Sequence, residues 1–202
     1  MTSSTQQAQN ASHEKIKARF PADILQKAKK VRLCIFDVDG VLTDGKIILG
    51  PGDVELKAFD VKDGQGIVML RDFVEIGVIT GRRSEAVTSR MSQLGVKHVF
   101  QGQKDKSAAL GKLLLALELD PDAVCYVGDD LPDLAVMQQV GLAVAVADAS
   151  PVVLDAAHYC TTKAGGRGAA REVCELILTA QSKFDVLVCQ AANAQVAVDQ
   201  NL

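Results

Sequence analysis

Residues 33–44 read LCIFDVDGVLTD, and the fold follows from them. The apolar, β-branched run 31–36 has the composition of a strand buried on both faces of a parallel sheet. It ends at Asp37-Val38-Asp39-Gly40. Side chains two apart on an extended segment share a face, so both carboxylates point the same way. They do so at the carboxyl end of a core strand, where open α/β sheets place ligands. Adjacent carboxylates repel, and a low-dielectric site makes that costly. A cation relieves the repulsion. An all-oxygen site suits Mg2+, which takes one or two carboxylates and keeps waters and phosphate oxygens.

The same arrangement recurs along the chain. A strand expected at 75–79 runs into Thr80-Gly81-Arg82-Arg83, with Ser84 placed to cap a helix reaching residue 94. A strand at 96–100 precedes Lys106, at the start of a helix over 105–117. A strand at 123–127 runs into Gly128-Asp129-Asp130, with Asp133 close behind. Alone, each has an ordinary explanation: a Thr cap, a solvated lysine, an acidic helix N-terminus. Together they fall just after successive strands, whose ends converge on one edge of a parallel sheet. Further helices are expected at 21–30, 64–73, 132–140, 151–156 and 170–181, and further strands at 142–146 and 158–160. Strands alternating with helices predict an α/β fold with right-handed crossovers. The runs 46–49 and 54–59 flank Gly50-Pro51-Gly52-Asp53, a turn signal, and predict a β-hairpin over 46–59.

At 202 residues the chain fits one domain, expected over 23–181, with a loose segment 1–22 before it and a tail 182–202 after it. Apolar residues make up 48% with no Trp, so the core must be aliphatic. A net charge of −3 with dispersed basic residues argues against a nucleic-acid or anionic-membrane partner. Five cysteines, at 34, 125, 160, 174 and 189, show no CxxC or zinc spacing and read as small hydrophobes in a reducing compartment. The first twenty residues lack the apolar stretch of a signal peptide, and no run reaches the roughly 18 apolar residues of a membrane span. A cytoplasmic protein is expected.

The order DxD, Thr, Lys, GDDxxD resembles the four motifs of the haloacid dehalogenase-like phosphohydrolases. That resemblance implies a Rossmann-like α/β fold and an aspartyl-phosphate mechanism. It implies that Asp37 attacks phosphorus and that Asp39 protonates the leaving group and then activates water. Thr80 and Lys106 would hold the phosphoryl oxygens. Asp37, the Asp39 main-chain oxygen and Asp129 would bind Mg2+, with Asp130 and Asp133 orienting that shell.

Between Gly45 and Thr80 there is room for one hairpin and one helix, so the hairpin stands in place of a cap domain. The strings VDGVLTDG, ELKAF, KDGQGI, ITGRRS, QGQKDK, YVGDDLPDL and GGRGAAREVCELIL are similar to those of the 3-deoxy-D-manno-octulosonate 8-phosphate phosphatase family. The resemblance implies hydrolysis of that sugar-acid phosphate for lipopolysaccharide synthesis. It implies a homotetramer whose hairpins assemble and whose neighbouring subunits cover each site. It also implies substrate contacts at Asp39, Asp60, Val61, Lys62, Asp63, Gly64, Arg82, Arg90 and Lys106. The glycines of 165–168 are expected to form a mobile lid. Val68 stands where the family often has a cation, with Arg71 one helical turn on. A nonulosonate 9-phosphate is therefore an alternative substrate. A receiver-like phospho-aspartate domain also combines Asp, Thr, Lys and Mg2+, but there the acidic pair precedes the phosphorylated aspartate.

Overall fold

The computed structural model describes residues 16–199. Its centre is a six-stranded parallel sheet in the order β5-β4-β1-β6-β7-β8. The strands are β1 (Leu33–Phe36), β4 (Glu75–Ile79), β5 (His98–Phe100), β6 (Val124–Gly128), β7 (Leu142–Ala145) and β8 (Tyr159–Cys160). Every residue of β1 is buried, and β1 pairs in parallel with β4 and β6. Burying Leu33, Ile35 and Phe36 contributes roughly 1.5–3 kcal/mol each. The chain builds outward from β1 through β4 and β5, then crosses back to add β6, β7 and β8. The carboxyl ends of β4, β1 and β6 therefore flank the point where the winding reverses, the crevice in which open α/β sheets bind ligands.

Helices flank the sheet. Those named below are α1 (Ala22–Lys29), α2 (Val61–Leu70), α3 (Glu85–Gln93), α4 (Lys106–Leu117), α5 (Leu134–Met137), α6 (Pro151–Ala156), α7 (Ala169–Ala180) and α8 (Phe184–Asp199). The α1 and α2 helices pack on α7, and α4 packs on α5. The remaining strands, β2 (Ile48–Leu49) and β3 (Glu55–Leu56), form the expected antiparallel hairpin, Ile48 opposite Leu56. Gly52 takes a left-handed turn at φ 68°. The paired strands are shorter than the sequence predicts, since no third strand extends the ladder among the described residues.

Four elements depart from expectation. The α2 helix starts at Val61 rather than 64, because the Asp60 side chain accepts hydrogen bonds from the amides of Lys62 (2.6 Å) and Asp63 (3.4 Å). The helix expected at 132–140 divides into a 3-10 turn, Leu131–Asp133, followed by α5. Ser84 is the N-cap residue of α3, but its hydroxyl makes no capping bond. The tail contains a 16-residue helix, α8, whose first residue Phe184 is buried on the core. Most of the expected loose segment 1–22 lies outside the described residues, but Phe20 is buried, edge-on to the Tyr159 ring.

Candidate active site

The loop after β1 is tied down by its own backbone. The Asp37 amide donates to the Val127 carbonyl (3.0 Å), and the Val38 carbonyl accepts from the amides of Leu42 (2.9 Å) and Thr43 (3.0 Å). Gly40 lies at φ 92°, and a Cβ there would collide with the Asp129 carboxylate. The segment 165–168, expected to be a mobile lid, is held in place by hydrogen bonds. The Gly165 amide donates to Asp148 Oδ1 (2.9 Å) and the Gly166 amide to the Val41 carbonyl (2.9 Å). A Cβ on Gly165 would strike the Gly40 carbonyl, and one on Gly166 the Thr43 backbone. These glycines permit close packing behind the loop that follows β1.

Lys106 begins α4, where Asp105 caps the helix by accepting from the Ala108 amide (3.1 Å). Its ammonium lies 2.7 Å from Asp133 Oδ1 and 3.1 Å from Asp37 Oδ1. The second approach is an ion pair, and Asp37 Oδ1 is buried against that charge. Asp133 is saturated. Its Oδ1 also accepts from the Tyr126 hydroxyl (2.6 Å), and its Oδ2 from the amides of Asp129 (3.0 Å) and Asp130 (3.2 Å). Asp133 therefore fixes both the lysine and the backbone that carries Asp129.

Asp37, Asp129 and Asp133 place carboxylate oxygens within 4.8 Å of one another. Burial, opposed by Lys106 and aided by the Asp133 charge, raises the Asp37 pKa to about 6. Burial, then the charges of Asp37 and Asp133, raises that of Asp129 to about 7. Burial disfavours the Lys106 charge, but Asp37 and Asp133 outweigh it and hold its pKa above the ordinary value. A cluster of carboxylate oxygens, two of whose groups resist ionising together, fits a hard divalent cation such as Mg2+. Asp133, already bonded at both oxygens, supports such a site. The Asp39 carboxylate is outside this group and pairs with Lys57.

A cleft of about 480 Å³ opens over these groups. Of the residues expected from the sequence, Asp37, Asp39, Thr80, Arg82, Lys106, Asp129, Asp130 and Asp133 line it. Gly45, Gly81, Gln103, Lys104 and Pro132 line it as well. The other expected residues lie elsewhere. Asp60, Asp63, Gly64 and Arg90 line a separate narrow crevice with Phe59 and Ile67, and Val61 and Lys62 are exposed. Asp63 accepts from the amides of Gly168 (3.2 Å) and Arg171 (2.7 Å), capping α7 and docking α2 against it. Arg71 hydrogen-bonds the Leu94 carbonyl, while Val68 packs against the core. Sequence reasoning passed over Lys57 and Glu55, which pair with Asp39 and Arg82; the signal was two opposite charges two apart in the extended run expected at 54–59.

This edge of the sheet holds a buried carboxylate, Asp37, a fixed cation beside it, Lys106, and a further carboxylate, Asp39, lining the same cleft. Residues 75–173 match the family of haloacid dehalogenase-like hydrolases. The chain is 51% identical over 164 residues to the 3-deoxy-D-manno-octulosonate 8-phosphate phosphatase of Yersinia pestis, covering 81% of this chain and 88% of that one. It is 52% identical over 165 residues to its counterpart in Escherichia coli strain K12, with the same coverage. The Moraxella catarrhalis 3-deoxy-D-manno-octulosonate 8-phosphate phosphatase, solved with magnesium, phosphate and KDO, superposes with a TM-score of 0.82. It shares 42% identity over 85% of this chain and 99% of that one. The chain belongs to the haloacid dehalogenase-like hydrolases and, within them, to the family of these 8-phosphate phosphatases. The receiver-like alternative falls with that assignment. No helix among the described residues is long and apolar enough to cross a membrane.

Proposed function

We propose that this chain is a Mg2+-dependent phosphomonoesterase that hydrolyses 3-deoxy-D-manno-octulosonate 8-phosphate to the free sugar acid and phosphate. The observation that carries this reading is one cleft lined by Asp37, Asp39, Thr80, Lys106 and Asp129, with Lys106 braced between Asp37 and Asp133. Asp37 attacks phosphorus through a carboxylate oxygen, and the bond from phosphorus to the sugar oxygen breaks with its electron pair on that oxygen. Asp39 gives the oxygen a proton. It then takes one from water, whose oxygen attacks phosphorus and releases Asp37 with its electron pair. Lys106 and the Thr80 hydroxyl hold the phosphoryl oxygens. Asp37, the Asp39 main-chain oxygen and Asp129 would hold Mg2+, with Asp130 and Asp133 behind them. Compensation of charge on the phosphoryl oxygens and the two carboxylates is what Mg2+ supplies when bound.

Selection for a sugar acid falls to cations at the mouth, Arg82 among them, with Asp60–Gly64 and Arg90 contributing within the assembly. That assembly is a homotetramer, supported by exposed Ile47, Ile48, Leu49, Val54 and Leu56 on the hairpin. The product enters lipopolysaccharide synthesis in the cytoplasm, a setting with which five free cysteines accord. Phosphate release from a panel of sugar-acid phosphates tests the reading. Turnover should require Mg2+, vanish in chelator, and vanish in Asp37→Asn with the fold retained. The panel includes a nonulosonate 9-phosphate, because Val68 and Arg71 bring no cation from α2 to the cleft.

A further inference from the structure

The hairpin does more than expose an apolar face. On β3 the Glu55 side chain, and two residues on the Lys57 side chain, turn back toward the sheet edge. The Lys57 side chain is 1% exposed, and its ammonium pairs with Asp39 Oδ1 and, at 3.0 Å, with Glu55 Oε1. The other Glu55 oxygen receives Arg82 Nη2 at 2.5 Å. Four alternating charges thus run from Asp39 to Arg82, two residues that both line the cleft. A lysine this buried, held by carboxylates on either side, keeps a single geometry, unlike a solvated surface lysine.

We propose that Lys57 is a positioning residue for Asp39. Its ammonium occupies Oδ1 and fixes the carboxylate plane, which leaves Oδ2, bonded by no described residue, to exchange the proton with the leaving oxygen. Glu55 steadies Lys57 from behind and ties it to Arg82. The hairpin is thereby part of the proton-transfer machinery of its own subunit. This rests on the reading of Asp39 as the acid that protonates the leaving group. Proton transfer by a placed side chain is worth on the order of 10²–10⁴-fold, and it depends on geometry before anything else.

Comparison of leaving groups separates positioning from mere support. A sugar alkoxide needs a proton to depart, whereas p-nitrophenolate does not, and kcat/KM reports the step in which the ester bond breaks. In Lys57→Met, kcat/KM for glucose 6-phosphate, an alkyl ester with no carboxylate for Arg82 to recognise, should fall at least roughly tenfold, while that for p-nitrophenyl phosphate changes less than about threefold. Lys57→Arg should recover much of the loss, and Glu55→Gln should show the same asymmetry more weakly, which keeps the test open if Lys57→Met folds poorly. Equal losses on both esters, or no loss on either, would overturn the proposal. Asp39→Asn serves as the reference. If it shows the asymmetry and the Lys57 variants do not, the positioning role fails alone. If Asp39→Asn lacks it, the acid assignment fails, and the role of Lys57 with it.

Discussion

Asp133 carries no bond-making role, yet it is the residue on which the site depends. Four donors converge on its two oxygens: Lys106, Tyr126 and two backbone amides. Its neighbours Asp37 and Asp129 both have raised pKa values, so the fold favours their protonated forms. The stability these two contribute is present at acid pH and is lost as pH rises through about 6 and then about 7. Mg2+ binds the ionised forms, so the gap in melting temperature between Mg2+-loaded and chelated protein should widen from about pH 5 to about pH 8. Calorimetry across that range reads it directly; a gap that narrows with pH would contradict the electrostatic account. Asp37, Thr80, Lys106 and Asp129 were legible because each follows a strand whose apolar run is local. The Asp39–Lys57 pair was not, since it depends on how the hairpin leans over the sheet edge. Nor was the capping of α7 by Asp63, which joins residues more than a hundred positions apart.

At the scale of elements, β4 has the bounds its sequence predicts, because Glu75–Ile79 is sharply punctuated by the Thr-Gly that follows. The α2 helix begins three residues early, because an aspartate cap overrode the weak signal of a glycine-containing first turn. The α8 helix was unassignable from its sequence, whose Ala and Gln favour helix without marking a buried face. The glycines of 165–168 announced an unusual backbone but not its purpose, since a hinge and a tight contact call for the same residue. The hairpin yields a prediction. Leu49 is 73% exposed at the tip of two short strands that no third strand supports among the described residues. Burying such a side chain between subunits contributes roughly 1.5–3 kcal/mol per copy. Leu49→Glu should shift the protein from tetramer toward smaller species in light scattering at micromolar concentration; a wild-type monomer under those conditions would contradict the proposed assembly.

Across the whole molecule, one topological fact organises the chemistry. Because the chain crosses from one side of β1 to the other, three strand ends bring Asp37, Thr80 and Asp129 to one crevice, and Lys106 enters it from the start of α4. In the proposed reading that crevice takes the phosphate end of the substrate. At its mouth the chain has a hairpin and no cap domain of its own among the described residues. A site that open gains discrimination by pairing charges on the ligand with fixed cations, Arg82 among them, held in place by Glu55. The most direct test is therefore a ratio of specificity constants: kcat/KM for 3-deoxy-D-manno-octulosonate 8-phosphate against kcat/KM for glucose 6-phosphate, both with Mg2+. A sugar-acid phosphatase gives a ratio on the order of a hundred or more, the size expected when a charged group on the substrate finds its partner. Equal constants for the two esters would contradict the assignment and leave a general phosphatase.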